Sequence, residues 1–285
     1  MFKIACIYRL LLVAMLLFAT GCGTLDRPGR DAEIYANRAR AYLEKGDYEQ
    51  ALANYNKAVE SAPRAGLYRI SRGLAYWNHG DYDLALADFN KAVEILPGNP
   101  SYYHIRSLAY WKKGDFDKAI ADCTKAIEID PRDATAYNRR GIAYKEKGEN
   151  DLAMADFDRA LELERGYDAP YNNRGNIFRN KGQYEEAFSN YDRSIKLDPK
   201  SATPYLNRGV AYAAKEQYDL AISDFTKALE LAPKYTLAYG NRARAYFSKK
   251  DYAKAWKDVH KAQELGGKLD EEFLTDLRKA SGREK

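Results

Sequence analysis

The sequence predicts an all-α repeat fold, on three observations. A 34-residue pattern recurs seven times without an insertion, and its units begin at Ala32, Gly66, Pro100, Ala134, Asp168, Ala202 and Thr236. Small residues hold fixed places in it. Position 8 reads Ala39, Gly73, Ser107, Gly141, Gly175, Gly209, Ala243; position 20 is always alanine, and position 27 is alanine except for Ser194. No stretch shows the two-residue alternation of a strand, and no second composition regime appears, so one stacked array fits the chain and a separate catalytic domain does not.

The N-terminal element comes first. Residues 1–22 join Lys3 and Arg9 to the apolar run Leu10 to Phe18, too short to span a bilayer and built like a secretory signal. The run closes on Phe18-Ala19-Thr20-Gly21-Cys22, which resembles a bacterial lipobox, with Ala19 where leucine is commonest. That resemblance implies a signal peptide over 1–21, removal of it, and acylation of Cys22 as the mature N-terminus, with 22–31 as a short tether. It also implies the bacterial cell envelope as the location. Gly23, in place of a retention aspartate, points to the periplasmic face of the outer membrane. Several acyl chains give stable anchoring where one is marginal. Gly23 to Asp31 would reach roughly 30 Å when extended, which keeps the array near the bilayer.

The repeats follow, as 32–65, 66–99, 100–133, 134–167, 168–201, 202–235 and 236–269. Position 11 is aromatic from Tyr42 to Tyr246, with Phe178 the one non-tyrosine, and position 32 is Pro63, Pro97, Pro131, Pro199 and Pro233. With the small positions, this resembles the tetratricopeptide repeat (TPR). The resemblance implies two helices per unit in a right-handed α-solenoid that binds proteins or extended peptides in a concave groove. Small side chains let the helices approach, which offsets the roughly 1 kcal/mol a helical glycine costs. Aromatics at positions 4, 11, 17 and 24 fill the space between helices. Gly46-Asp47, Gly80-Asp81 and Gly114-Asp115 predict a left-handed end to the first helix and an aspartate cap on the second; Glu216 and Lys250 replace that glycine in units 6 and 7. Arg165 and Gly267 stand where the exit proline should be, which predicts a longer or looser second helix in unit 4 and an altered exit in unit 7. Residues 270–285 form a capping helix and tail, with Phe273, Leu274 and Leu277 on one face.

Charge and reactive residues narrow the function. The formal charge of +5 falls to about +3 without Lys3 and Arg9, and it is interspersed, which excludes a nucleic-acid stripe. Cys6 lies in the leader and Cys22 is the expected lipid site, so Cys123 is alone in the folded part and no disulfide framework is expected. It occupies position 24, an aromatic place in most units, and reads as core. His79, His104 and His260 sit at unrelated positions, and no phosphate loop or paired-cysteine spacing occurs; no catalytic residue, metal site or cofactor is expected.

Polar positions carry what remains. Position 7 is arginine throughout, as Arg38, Arg72, Arg106, Arg140, Arg174, Arg208 and Arg242, while position 23 is aspartate or asparagine. This predicts a structural ladder between helices of the same or the adjacent unit, the other reading being a phosphate-binding row. Position 6 carries Asn37, Asn173, Asn207 and Asn241, interrupted by Ser71, Ile105 and Arg139. It resembles the asparagine ladder with which some TPR proteins hold a peptide backbone, each amide offering a donor and an acceptor; solvated side chains are the alternative. The groove positions then add Ile70, Leu74, Trp77, His104, Leu108 and Trp111 as an apolar patch, and Asn138, Arg139, Asn172, Asn176 and Arg179 as a polar, basic one. These contact a ligand or pack against neighbouring segments. The lysines of the family's carboxylate clamp are missing, with Asn172 and Leu237 in two of their places. The expected function is a non-catalytic, membrane-anchored adaptor in the envelope, with a structural subunit using the convex face as the alternative; the oligomeric state stays open.

Overall fold

The computed structural model describes residues 29–282, which divide after Lys147 into two compact units. The leader, Cys22 and the tether up to residue 28 lie outside the described residues. Fifteen helices and no strand occur among those described. The first unit holds α1 (Arg30–Glu44), α2 (Tyr48–Ser61), α3 (Gly66–His79), α4 (Tyr82–Ile95), α5 (Pro100–Lys113), α6 (Phe116–Ile129) and α7 (Ala134–Glu146). The second holds α8 (Asn150–Leu163), α9 (Asp168–Asn180), α10 (Tyr184–Leu197), α11 (Ala202–Ala214), α12 (Tyr218–Leu231), α13 (Thr236–Ser248), α14 (Tyr252–Glu264) and α15 (Glu271–Ser281). Within each unit a helix packs on its hairpin partner and then on the first helix of the next repeat, as an all-α repeat solenoid requires.

The hairpin turn is a backbone device. Five of the seven turns place a glycine at φ between +74° and +105°, whereas Glu216 and Lys250 adopt φ of 60° and 63° with a side chain present. Left-handed backbone costs an L-residue roughly 1–2 kcal/mol. Asp47 and Asp115 cap the following helix, accepting from the N–H of Gln50 at 3.1 Å and of Lys118 at 3.3 Å. Asp81 does not cap α4 as its sequence position predicts. Its carboxylate accepts the Tyr48 hydroxyl at 3.0 Å and meets His79 Nδ1 at 3.0 Å, and the Tyr48 and His79 rings stack 3.8 Å apart.

The exits test the proline positions. Helix α8 is 14 residues long, like α4, α6, α10 and α12, so the expected lengthening at Arg165 is absent. Glu164 is extended at φ −139°, and Tyr167 N–H donates to Glu164 O at 3.1 Å; that turn ends the helix without proline. The exit of α14 is different, as Gly267 predicts. Gly266 turns left-handed at φ +77°, and Gly267 N–H closes on Ala262 O at 2.8 Å.

Packing within a hairpin is a size match between positions 8 and 24. A Cβ on Gly73 would lie 2.5 Å from the Phe89 ring, on Gly175 2.6 Å from Tyr191, and on Gly209 2.7 Å from Phe225. Where position 24 shortens to Cys123 or Val259, position 8 carries a Cβ as Ser107 or Ala243. Ala39 with Tyr55 departs from this rule. Cys123 is core, 1% exposed, and burial pushes its thiol up to about 11. At the far end α15 buries Phe273, Leu274 and Leu277 in one cluster with Ala243, Trp256 and Val259.

Candidate functional site

The arginine ladder is built inside the hairpins and across the repeat joints. Arg72, Arg106, Arg208 and Arg242 each grip the aspartate sixteen residues on with Nε and Nη2, at 2.6–2.8 Å, to Asp88, Asp122, Asp224 and Asp258. The third nitrogen reaches back to the preceding repeat. Arg72 Nη1 donates to Asn56 at 2.8 Å, Arg106 to Asn90 at 3.0 Å, Arg140 to Thr124 at 3.2 Å, Arg208 to Asp192 at 2.5 Å and Arg242 to Thr226 at 2.9 Å. These position-25 acceptors escape a sequence reading confined to positions 7 and 23. Their signal is a short oxygen-bearing side chain in the first six repeats and His260 in the last, where no arginine follows.

Electrostatics match this geometry. The hydrogen bonds that Arg72, Arg106 and Arg208 donate to Asp88, Asp122 and Asp224 lead in raising their guanidinium pKa, against the cost of burial. Burial raises the Asp122 and Asp224 carboxyls, which the arginines offset in part. The ladder weakens at Arg174, which pairs with Asp158 at 2.7 Å through Nη1. Asn190 replaces the aspartate and donates instead to Glu186 O at 2.8 Å, so Arg174 Nε is buried without a partner, as is Ser194 Oγ in the same repeat. Arg38 is exposed and has no preceding repeat in the array.

A second ladder, also missed from sequence, lies at the surface. Position 14 reaches the acid at position 18 of the preceding repeat: Lys113 with Asp83 at 2.5 Å, Lys147 with Asp117 at 2.8 Å, Lys181 with Asp151 at 3.6 Å, Lys215 with Glu185 at 2.6 Å, and Lys249 with Asp219. Exposed pairs of this kind contribute about 0–1 kcal/mol each.

The face of the first unit that was expected to meet a ligand differs from expectation at its edge. Leu74, Trp77, Leu108 and Trp111 are half-buried on α3 and α5, whereas Ile70 is 1% exposed, in the core cluster of Phe89, Tyr102, Tyr103 and Ala109. Asn138 is likewise buried, at 4%, and Leu206, the same position in a later repeat, is 5% exposed. Position 5 therefore serves as packing at these three sites and is not an open groove position there. His104 is tied by Nε2 to Asp133 Oδ2 at 2.5 Å, and its carbonyl accepts from Arg139 Nη1 at 2.7 Å. Burial raises the Asp133 carboxyl, but the His104 bond and charge outweigh it and hold it below the usual range. Two buried nitrogens on this helix, His104 Nδ1 and Trp111 Nε1, have no hydrogen-bond partner.

The second unit carries the amides, largely engaged with one another. Asn207 Nδ2 donates to Asn172 Oδ1 at 2.9 Å, and Asn176 Oδ1 accepts the Tyr191 hydroxyl at 2.9 Å. Arg179 donates to Asn180 at 3.2 Å, while Asn241 turns back onto Leu237 O at 2.9 Å. Asn173 is half-buried on α9. In the first unit Asn37 accepts from Arg40, and Ser71 bonds Leu67 O at 3.0 Å. Each of these amides has spent part of its capacity locally, and an uninterrupted row is not formed. Among the described residues no group of three or more His, Cys, Asp or Glu side chains gathers as a metal site, and no helix is long and apolar enough to cross a membrane.

Helix pairs stapled by a repeating arginine, with side chains of the first helices presented in rows, define a repeat scaffold for protein contacts. The chain belongs to the tetratricopeptide repeat family: models of that repeat match residues 37–100, 108–148 and 175–216, and 134–167 and 202–235. A tetratricopeptide repeat protein from Parabacteroides merdae superposes with a TM-score of 0.72 at 20% identity, over 90% of this chain and 100% of that one. The Cut9–Hcn1 hetero-tetramer of APC/C gives 0.69 at 20% identity, over 87% and 48%. A thermophilic TPR protein of Thermus thermophilus gives 0.58 at 21%, over 64% and 100%. Among curated proteins none matches this chain in sequence.

Proposed function

We propose that the chain is a non-catalytic adaptor of the bacterial cell envelope, anchored through acylated Cys22, that binds protein or extended-peptide partners on the faces of its first helices. The observation that carries the binding reading is the half-buried apolar row of Leu74 and Trp77 on α3 and Leu108 and Trp111 on α5. Leu74 and Trp77 supply apolar contact on the neighbouring helix. The anchor rests on the leader and Phe18-Ala19-Thr20-Gly21-Cys22, and the family's Cut9 neighbour, solved in complex with another protein, is in keeping with a partner-binding role.

Affinity recovery from envelope extracts tests both parts. The native chain, Cys22→Ala and Trp77→Ala/Trp111→Ala should each give a different outcome: the tryptophan variant loses the partner, and Cys22→Ala moves the protein from the membrane fraction to the soluble one. An unchanged partner set in the tryptophan variant overturns the ligand face. Unchanged fractionation of Cys22→Ala overturns the anchor.

A further inference from the structure

The second helix of the fifth repeat, α10, departs from the array at three positions that fasten its neighbours. At position 23 the two repeats that follow have Asp224 and Asp258, each held by two nitrogens of Arg208 or Arg242 at 2.7–2.8 Å. Arg174 has no such aspartate. Asn190 stands in its place and turns its amide onto Glu186 O at 2.8 Å, as Asn54 of the first repeat turns onto Gln50 O at 2.8 Å. The fifth repeat thus has the pairing of an end repeat, set in the interior of the array.

Position 27 is alanine in the other six repeats and Ser194 here, 0% exposed and with its hydroxyl unpaired. Arg174 Nε, on the partner helix α9, is buried and unpaired as well. Both atoms gain water when the hairpin opens, which lowers the cost of opening. At position 29, Lys196 replaces a glutamate. Five other repeats close a surface pair between that glutamate and the basic residue at position 26, at 2.5–3.0 Å, whereas Arg193 and Lys196 set two like charges three residues apart. The joint to the preceding repeat is loose too, with Lys181 and Asp151 3.6 Å apart where Lys215 and Glu185 are at 2.6 Å. What holds the hairpin is the Tyr191 hydroxyl on Asn176 and the packing of Tyr191 with Ala187 and Ala211.

We propose that α9 and α10 open as a unit ahead of the repeats that follow them, so that the second unit loosens from an interior repeat and not only from its end. Stability in a repeat array is a sum of repeat and joint contributions, so one poorly fastened repeat sets the place of opening. Helix α9 also carries Asn172, Asn173, Asn176 and Arg179. Opening withdraws that polar row, and a partner bound there holds the repeat closed by mass action; this consequence rests on the proposed ligand face.

Hydrogen exchange of the purified full-length chain in detergent, read by mass spectrometry with no partner added, tests the opening. Amides of α9 and α10 should exchange about tenfold or more faster than those of α11 and α12. Asn190→Asp joined with Ser194→Ala supplies the missing aspartate and removes the unpaired hydroxyl; it should slow α9 and α10 by about tenfold or more and leave α11 and α12 within about twofold. Asp224→Asn should do the reverse and bring fast exchange into α11 and α12. Circular dichroism melts check that each variant stays folded. Native protection of α9 and α10 equal to that of α11 and α12 overturns the proposal. So does fast exchange in α9 and α10 that the double variant leaves unchanged. Partner recovery by the Trp77→Ala/Trp111→Ala variant bears on the ligand face alone, because no partner enters this measurement.

Discussion

Arg208 holds oxygens of two repeats at once, both of Asp224 and one of Asp192. Removing it leaves Asp224, 5% exposed, without its counter-charge. Arg208→Met is therefore expected to cost about 3–5 kcal/mol, whereas Arg38→Met, exposed and without a preceding repeat, costs about 0–1. Thermal melts of the two variants compare them directly, and equal shifts would sink the structural role of the ladder. The pairing of positions 7 and 23 is legible in the sequence because both residue types recur. The third acceptor is not, because Asn56, Thr124 and Asp192 share only a short side chain with an oxygen. Asn190 is instructive for the same reason: it fits the position-23 pattern as a polar residue, yet its amide turns to its own helix and leaves Arg174 Nε unpaired.

At the level of the hairpin, the size match of positions 8 and 24 makes a coupled prediction. Gly209→Ala drives a methyl against the Phe225 ring and should cost about 1–3 kcal/mol. Phe225→Val alone should open a cavity, but the two together should cost less than their sum, since Ala243 with Val259 is the combination the last repeat already uses. Additive losses in a double-mutant cycle by denaturant unfolding would count against the match. The turns give the opposite sign. Glu216→Gly and Lys250→Gly relieve left-handed backbone at φ 60° and 63°, and each should raise stability by about 0.5–1 kcal/mol after the larger chain entropy of glycine is counted. A lower melting temperature in either variant would refute the strain. The sequence announces these turns by the missing glycines, and it announces the altered exit of α14 by Gly267. It misleads at α8, where a backbone turn at Glu164 does what proline does elsewhere.

For the molecule as a whole, the 34-residue period carries the fold class, since each repeat has an apolar face that only a neighbour can cover. The last such face in the second unit is covered by α15. Leu277, 0% exposed, should cost about 2–5 kcal/mol on truncation to alanine, and hydrogen exchange should quicken first in α13 and α14. Uniform quickening through all helices of the unit would show that α15 is not a terminal cap. The proposed ligand face was less legible than the fold. A side chain at position 5 is core at Ile70 and Asn138 but half-buried at His104 and Asn172, because exposure there depends on what the adjoining helix supplies. The joints between repeats have a different property. An arginine that accepts Asn56, Asn90, Thr124, Asp192 or Thr226 equally as its backward partner does not distinguish which repeat precedes it. Excision or insertion of a whole 34-residue repeat re-forms the same bond with a new neighbour, while loss of one residue between arginine and acceptor severs it. Such a chain can lengthen or shorten over evolutionary time in steps of one repeat, with no redesign of its joints.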